Sequence, residues 1–353
     1  MKAALISLGS VSSKWTAEAM KSYFTKTDHL DLTKIEVRTD KKLEILYSGK
    51  QLPAYDCIYA KGSFRYAAVL RSIAMAFEKT AYTPIKPETF EIGHDKLITH
   101  LVLQQNNIPM PRTYLSPSPK AADEILKTIN YPIVIKLPQG TGGKGVMFAD
   151  SHASASSLMD TLVKLNQPFI IQEYIETEGV DVRAFVIGSK VAASYKRRAV
   201  EGEKRANIHS GGRAEKYEPS SEVKQLAVET AEAVHADICA VDILEGPKGP
   251  LVIEFNLSPG LQGITEATKI NVAEKIAKYL YERTKSRFTE KKSKEATKLI
   301  QDMGLGENIC DTLDFRSGRI LLPEVVTKLT KFNEKDEVII DAKEKELRIR
   351  KLK

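Results

Sequence analysis

Three cysteines in 353 residues are too few and too scattered to staple a fold. Cys57, Cys239 and Cys310 are odd in number and form no C-x-x-C pair, which argues against a disulfide framework and a zinc site and fits a reducing compartment. The six histidines are dispersed and add nothing to a metal case. Long apolar runs are missing too: none approaches the roughly 20 residues a membrane helix needs, so no membrane partner is expected. The opening Met1–Gly9 has one basic residue and a short apolar stretch, and reads as a first strand rather than a secretory signal. A cytoplasmic location is therefore expected. Internal repeats and low-complexity tracts are also lacking.

What remains is an ordinary globular balance, 42% hydrophobic and 28% charged. The chain is long enough for two or three domains with cores of their own. The net charge is +7, and the stretch from Lys285 onward, with 17 basic and 13 acidic residues, carries +4 of it. That excess suits either a nucleic-acid surface or a solvated face of mixed sign.

Periodicity divides the chain into four segments. Residues 1–90 place strands at Ala3–Leu8 and Cys57–Ala60 and helices at Thr16–Phe24 and Ala67–Phe77, an α/β pattern with a polar connection inside it. Residues 91–177 open with a helix, Asp95–Gln105, stopped by Pro109 and Pro111. Strands at 112–115, 132–137, 146–148 and 169–174 follow, with helices at 121–129 and 153–165. Residues 178–285 give strands at 181–187, 191–197, 240–244 and 251–256, a serine-capped helix Ser220–His235, and a closing helix Val272–Arg283. The Lys/Glu-rich Lys285–Glu295 reads as a linker or an exposed helix start, and residues 286–353 as that linker with a small module.

Three groups of residues carry chemistry. Gly140-Thr141-Gly142-Gly143-Lys144-Gly145 matches G-x-G-x-x-G, but Val146-Met147-Phe148 after it favours a strand, so a Rossmann turn fails on context. A Walker loop fails because Gly145 stands where Ser or Thr must be, and a kinase fails for want of H-R-D and D-F-G. A glycine loop between two strands remains. Either it closes backbone N–H groups over phosphate, or it is a plain hairpin. Lys136, at the end of the strand before it, either reaches a phosphate or ring nitrogen or is an exposed strand-end lysine. The second group is Asp242 with Glu254 and Asn256. Alternation puts Glu254 and Asn256 on one face, and a five-residue turn would set Asp242 opposite Val252 and diagonal to Glu254. These hard oxygen donors suit Mg²⁺, unless they pair with Arg183 or Arg198. The third group is basic: Arg183, Lys196, Arg197, Arg198, Arg205 and Arg213 can fork onto phosphate and carboxylate oxygens.

At these residues the chain resembles an ATP-grasp ligase of the RimK type, the alpha-L-glutamate ligases. The matching segments are Val134-Ile135-Lys136 with the loop to Gly145, Ile171–Ile175, Asp181-Val182-Arg183, Lys196–Ala199, Arg205–His209 with Gly211-Gly212, Ala240–Leu244 and Val252–Gly260. The resemblance spans about residues 90–285. It implies an α/β fold of α+β lobes: an N-terminal pre-ATP-grasp domain (1–90), a central lobe with the glycine loop (91–177) and a lobe with the metal site (178–285). It implies that Lys96 and Lys136 contact ATP and that Gly140, Gly142, Gly143, Lys144 and Gly145 cover its phosphates. Glu173 and Tyr174 would read adenine, with Asp181 near the ribose. Asp242, Glu254 and Asn256 would hold two Mg²⁺ ions, with Mn²⁺ as an alternative. Arg198, Arg205 and Asn207 would face the transferred phosphate and the acyl intermediate, with Arg183 near them. The implied reaction is amide formation through an acyl phosphate, adding glutamate or a similar amino acid to a protein C terminus or a glutamyl-cofactor tail.

Arg319–Glu324, Val325–Leu329, Asp336–Ile340 and Leu347–Arg350 read as strand, short helix, strand, strand. This segment resembles the AbrB-type swapped-hairpin module, although Asn333-Glu334-Lys335-Asp336 lacks the usual glycine. The resemblance implies dimerisation and DNA binding. An oligomerisation or acceptor-docking appendage, in a dimer or tetramer, is the other reading. A nucleotide-sensing DNA-binding regulator is therefore the alternative to a ligase.

Overall fold

The computed structural model describes the chain apart from residues 117, 141–144, 200–212, 303–313, 317, 335, 345 and 353, and only the backbone of 291–302, 314, 315, 325, 328 and 329. It divides into two compact units, Met1–Lys285 and Ser286–Lys353.

The first unit begins with a three-stranded parallel sheet. Its middle strand is β1 (Lys2–Ser7), flanked by β2 (Lys26–Asp31) and, later in the chain, by the Cys57–Ala60 strand. α1 (Val11–Lys21) starts behind Ser10, whose hydroxyl accepts the Ser13 N–H. Between β2 and the Cys57 strand lies a small antiparallel sheet of β3 (Ile35–Thr39), β4 (Leu43–Tyr47) and β5 (Lys50–Gln51). The Cys57–Ala60 strand is thus β6, and α2 (Ala67–Phe77) follows it. The polar connection of the sequence reading holds four strands. β2 and β3 are largely exposed or half-buried, so neither carries the apolar run that marks β1 and β6.

The central segment contains α3 (Thr89–Ile92), α4 (Lys96–Gln105), β7 (Thr113–Tyr114), α5 (Pro119–Thr128), β8 (Ile133–Lys136), β9 (Val146–Ala149), α6 (His152–Lys164) and β10 (Ile170–Glu173). Its strands form an antiparallel sheet in the order β7-β10-β8-β9. Alternation decides what each face does. Ile133, Ile135 and Ile171 pack with Ala122 and Leu126 of α5 and Ala155, Met159 and Leu162 of α6 in a core of their own. Val134, Lys136 and Gln172 point the other way, into a cavity.

The third segment is a five-stranded antiparallel sheet in the order β13-β12-β11-β14-β15, from β11 (Val180–Ile187), β12 (Lys190–Arg198), β13 (Arg213–Lys216), β14 (Ile238–Gly246) and β15 (Gly249–Asn256). α7 (Ser221–Ala233) packs on it, and α8 (Gln262–Thr268) and α9 (Val272–Asp302) follow. α9 buries Val272, Ala273, Ile276, Ala277 and Leu280 and continues past Arg283 through the Lys/Glu-rich stretch, so that stretch is helix rather than linker. The β14–β15 register also differs from the expectation. Only Pro247 and Lys248 lie between the paired Gly246 and Gly249, and a bulge between Asp242 and Ile243 shifts the register once more. Asp242 therefore lies directly opposite Glu254, and Ala240 opposite Asn256.

The second unit contains two hairpins, β16 (Asp314–Arg316) with β17 (Arg319–Leu321) and β18 (Val338–Lys343) with β19 (Glu346–Lys351), and α10 (Glu324–Thr330). Among the described residues no helix is long and apolar enough to cross a membrane.

Candidate active site

A cavity of about 530 Å³ opens within the first unit. The central sheet, the face of the five-stranded sheet that carries Asp181, Arg183 and Asp242, and the carboxyl ends of β1 and β6 all contribute to its wall.

Part of the lining is apolar: Val134, Val146 and Phe148 from the central sheet, Tyr174 after it, and Leu244 and Ile253 from the five-stranded sheet. Tyr174 meets Phe148 edge-on, with ring centroids 6.0 Å apart. Such a slot accepts a flat aromatic group. Glu173 lies beside it, and one of its carboxylate oxygens accepts the Arg112 N–H at 2.9 Å, tying it to the segment that leads into β7. Lys136 stands at the far end of β8, buried, and its Nζ donates to Gln172 Oε1 at 2.6 Å. The Gln172 amide is oriented in turn: its Nε2 donates to Thr113 Oγ1 at 2.8 Å and faces His100 Nε2 at 3.3 Å. Burial lowers the Lys136 ammonium to about 8, with the charge of Glu254 opposing that shift and Lys96 adding to it. Burial also lowers His94 and His100 to about 4, so both imidazoles are neutral at pH 7. Lys96, capped into α4 by Asp95, donates from Nζ to Gly140 O at 3.2 Å, at the mouth of the glycine loop. The loop ends are closed by Leu137 N–H on Gly145 O at 2.9 Å. Gly145 has φ +80°, and a Cβ there would press on Leu137 at 3.0 Å. Gly142, Gly143 and Lys144 lie outside the described residues.

Another part of the lining is a buried ionic lattice. Arg183 forks onto Asp242, with Nε–Oδ1 at 2.7 Å and Nη2–Oδ2 at 2.6 Å. Arg197 forks onto Asp181 at 2.6 and 2.7 Å and reaches Asp242 Oδ2 at 3.0 Å. Burial works to raise the Asp242 carboxyl, but the two guanidiniums outweigh it and hold the group below its usual range. Asn256 Nδ2 donates to Asp242 Oδ2 at 3.3 Å, which leaves its own oxygen unengaged among the described residues. Glu254 makes no hydrogen bond or ion pair with any described residue and faces the cavity. The donor chemistry fits a hard divalent cation: Glu254 and the Asn256 oxygen are available, while Asp242 can ligate only by giving up part of its fork.

A family model for the RimK-like ATP-grasp domain matches residues 93–280. The chain belongs to the RimK-like ATP-grasp ligases. It is 39% identical over 243 residues to a Legionella pneumophila (strain Corby) protein named probable alpha-L-glutamate ligase, an overlap of 67% of this chain and 80% of that one. It is 34% identical over 303 residues to the probable alpha-L-glutamate ligase 2 of Pseudoalteromonas atlantica, covering 83% of this chain and 100% of the relative. Among solved structures, a RimK domain ATP-grasp protein from Sphaerobacter thermophilus superposes with TM-score 0.62 at 18% identity, over 79% of this chain and 99% of that one. The ATP-grasp ligase PsnB, complexed with a minimal precursor, Mg and ADP, gives 0.63 at 18%, over 80% and 98%. These two share the fold.

For this ATP-grasp ligase the cavity brings together Lys96, Lys136, Gly140, Glu173, Tyr174, Asp181, Arg183, Asp242, Glu254 and Asn256. Asp181, assigned to a ribose, instead spends both oxygens on Arg197. Arg198 is set apart by strand alternation from the residues that line the cavity. It is exposed and pairs with Glu215 at 3.5 Å, whereas its neighbour Arg197 enters the cavity. Arg205 and Asn207 lie outside the described residues. The sequence reading passed over Gln172, His100 and Lys61, and it named Arg197 in the basic group without placing it at the site. Arg197 was legible from the alternation with Tyr195, which is also buried. Lys61 follows the last residue of an apolar strand, a place where a charge is unusual.

Proposed function

We propose that this ligase joins a carboxylate to an amine with ATP, adding glutamate or a similar amino acid to an acidic acceptor, a protein C terminus or a glutamyl-cofactor tail. The observation that carries the reading is the meeting, in one cavity, of an apolar slot, two lysines suited to phosphate, and the Glu254–Asn256 oxygen pair. A carboxylate is a poor electrophile. In the proposed reaction one of its oxygens attacks the γ-phosphorus, ADP leaves with the bridging oxygen, and an acyl phosphate results. The amine nitrogen then attacks the carbonyl carbon, phosphate departs and the nitrogen loses a proton. The task of the chain is to hold the groups and neutralise charge, which Lys96, Lys136 and the arginine forks serve. Glu254, Asn256 and Asp242 would hold Mg²⁺, two ions or Mn²⁺ in their place, which when bound screens the phosphate oxygens.

The test is a mass-shift screen with purified protein, ATP, Mg²⁺, each amino acid in turn and a cell extract. An added glutamyl mass with matching ADP release supports the reading. ATP binding without ADP release under any condition refutes it. We assign the unit 286–353 to association between copies, because Ile320, Leu321, Ile340 and Leu347 are exposed there. Sedimentation of the full chain as a monomer would refute that assignment.

A further inference from the structure

We propose that Lys61 and the start of α1 form a carboxylate-binding subsite that holds an anionic group of a substrate beside the phosphoryl-transfer site; the proposal rests on the ligase reading above. The topology marks the place first. In the order β2-β1-β6 the chain leaves β1 toward one side to make β2 and returns on the other side to make β6, all three parallel. The crevice between the carboxyl ends of β1 and β6 is therefore a switch point, where α/β sheets bind ligands. Ser10 follows β1 and Lys61 follows β6, and both line the cavity.

The second observation is the lysine itself. Lys61 is 3% exposed, and while its backbone N–H donates to Ile6 O at 2.9 Å, its ammonium makes no hydrogen bond or ion pair with any described residue. Among the described residues its ammonium has only the Tyr59 ring, 5.7 Å from Nζ to centroid. A buried ammonium without a counter-charge is costly to maintain, so its natural complement is an anion that arrives with a ligand. Burial lowers it to about 8, which leaves it charged at neutral pH. The first turn of the 11-residue α1, with Ser10 and Ser13 at the cavity, adds the positive helix end.

A backbone tie connects this place to the loop after β15. Leu261 N–H donates to Ser12 Oγ at 2.8 Å, tying the first turn of α1 to the loop that leaves β15. Leu257–Gly260 of that loop line the same cavity immediately after Asn256. An anion on Lys61 is thus held in the same cavity as Glu254 and Asn256. The anion is a carboxylate of either the incoming amino acid or the acceptor.

Calorimetric titration of the full chain, saturated with AMPPNP and Mg²⁺, separates the two sources. The probes are L-glutamate and N-acetyl-glutamylglutamate, and the variants are Lys61→Met and Lys61→Arg. Lys61→Met should weaken one probe by about tenfold or more, the loss of a charge-assisted contact. Its AMPPNP affinity should stay within about twofold, as expected for a site that nucleotide does not touch. Lys61→Arg should recover most of the loss. The probe that responds identifies the source. Wild-type affinity of Lys61→Met for both probes overturns the subsite, as does equal loss of AMPPNP binding or a wild-type chain that binds neither probe. If the wild type releases no ADP in the mass-shift screen while Lys61→Met still loses a probe, the ligase reading fails and the subsite stands.

Discussion

Replacing Asp242 by asparagine removes one of two carboxylates that balance two buried guanidiniums. Asp242 is 2% exposed and accepts from Arg183 at 2.7 and 2.6 Å and from Arg197 at 3.0 Å. Arg197 retains Asp181 after the change, but Arg183 loses its only carboxylate among the described residues. Breaking a buried pair by removing one partner costs about 3–5 kcal/mol, and the surviving Asp181 fork points to the lower end, about 3 kcal/mol. For a unit of this size that lowers the melting temperature by roughly 6 °C or more. The assay is thermal unfolding in EDTA, where metal ligation contributes nothing. Acid dependence gives a second check. The folded-state Asp242 carboxyl lies below its ordinary 3.8, so the unfolded chain binds the proton more readily. Stability from the pair is therefore complete above about pH 4 and fades as pH falls through the folded value. Asp242→Asn should flatten that acid decline. A metal-free variant that melts with the wild type would refute the claim that the forks, rather than a cation, hold Asp242 in place.

Glu254→Gln should behave oppositely: unfolding in EDTA should shift by no more than about 0.5 kcal/mol, because no described residue pairs with Glu254, while ADP release is lost. A destabilised variant with intact turnover would contradict the assignment. Lys136→Met should weaken AMPPNP about tenfold or more, and wild-type affinity should fall as pH passes about 8, where the Lys136 ammonium deprotonates. Calorimetry at pH 7 and pH 9 checks both, and pH-independent affinity would refute the role. Lys61→Met should stabilise the fold at pH 7 by about 1–3 kcal/mol, since it removes an unpartnered buried ammonium. The folded-state value of Lys61, about 8, lies below the ordinary 10.5, so the unfolded chain holds the proton more tightly and the native state is penalised below pH 8. That penalty fades from pH 8 to 10.5, so urea unfolding at pH 7 and 10 should show the gain at the lower pH alone. No gain at pH 7 would mean that Lys61 has a partner.

Much of this architecture was legible because burial was legible. Apolar runs such as 132–137 and Cys57–Ala60 announce strands, and the strands occur at Ile133–Lys136 and Cys57–Ala60. Cap chemistry announced α7 through Ser220. Polar strands such as β2 and β3 were invisible because they bury little. The β14–β15 register escaped because a bulge depends on local packing that spacing alone does not encode. The site was legible in composition but not in pairing. Glu254 and Asn256 line the cavity as alternation requires, yet nothing in the sequence distinguishes Arg197 from Arg198 until the face of β12 is fixed by Tyr195.

The cross-strand row explains why one carboxylate in the pair is structural and the other is free. Tyr195, Arg183, Asp242 and Glu254 stand opposite one another in sequence across β12, β11, β14 and β15. Asp242 is on an inner strand, flanked by guanidiniums that satisfy it. Glu254 is on the edge strand β15, with no further strand to supply a cation. The charges near it come instead from across the cavity, where Lys136 is buried against the central sheet. The sheet thus neutralises its own interior and leaves one acidic oxygen pair at its rim. The opposite walls present buried ammonium groups, Lys136 and Lys61, that no described carboxylate pairs with directly. Such an arrangement is electrostatically incomplete by itself, and a ligand with phosphate at one end and carboxylate at the other would complete it.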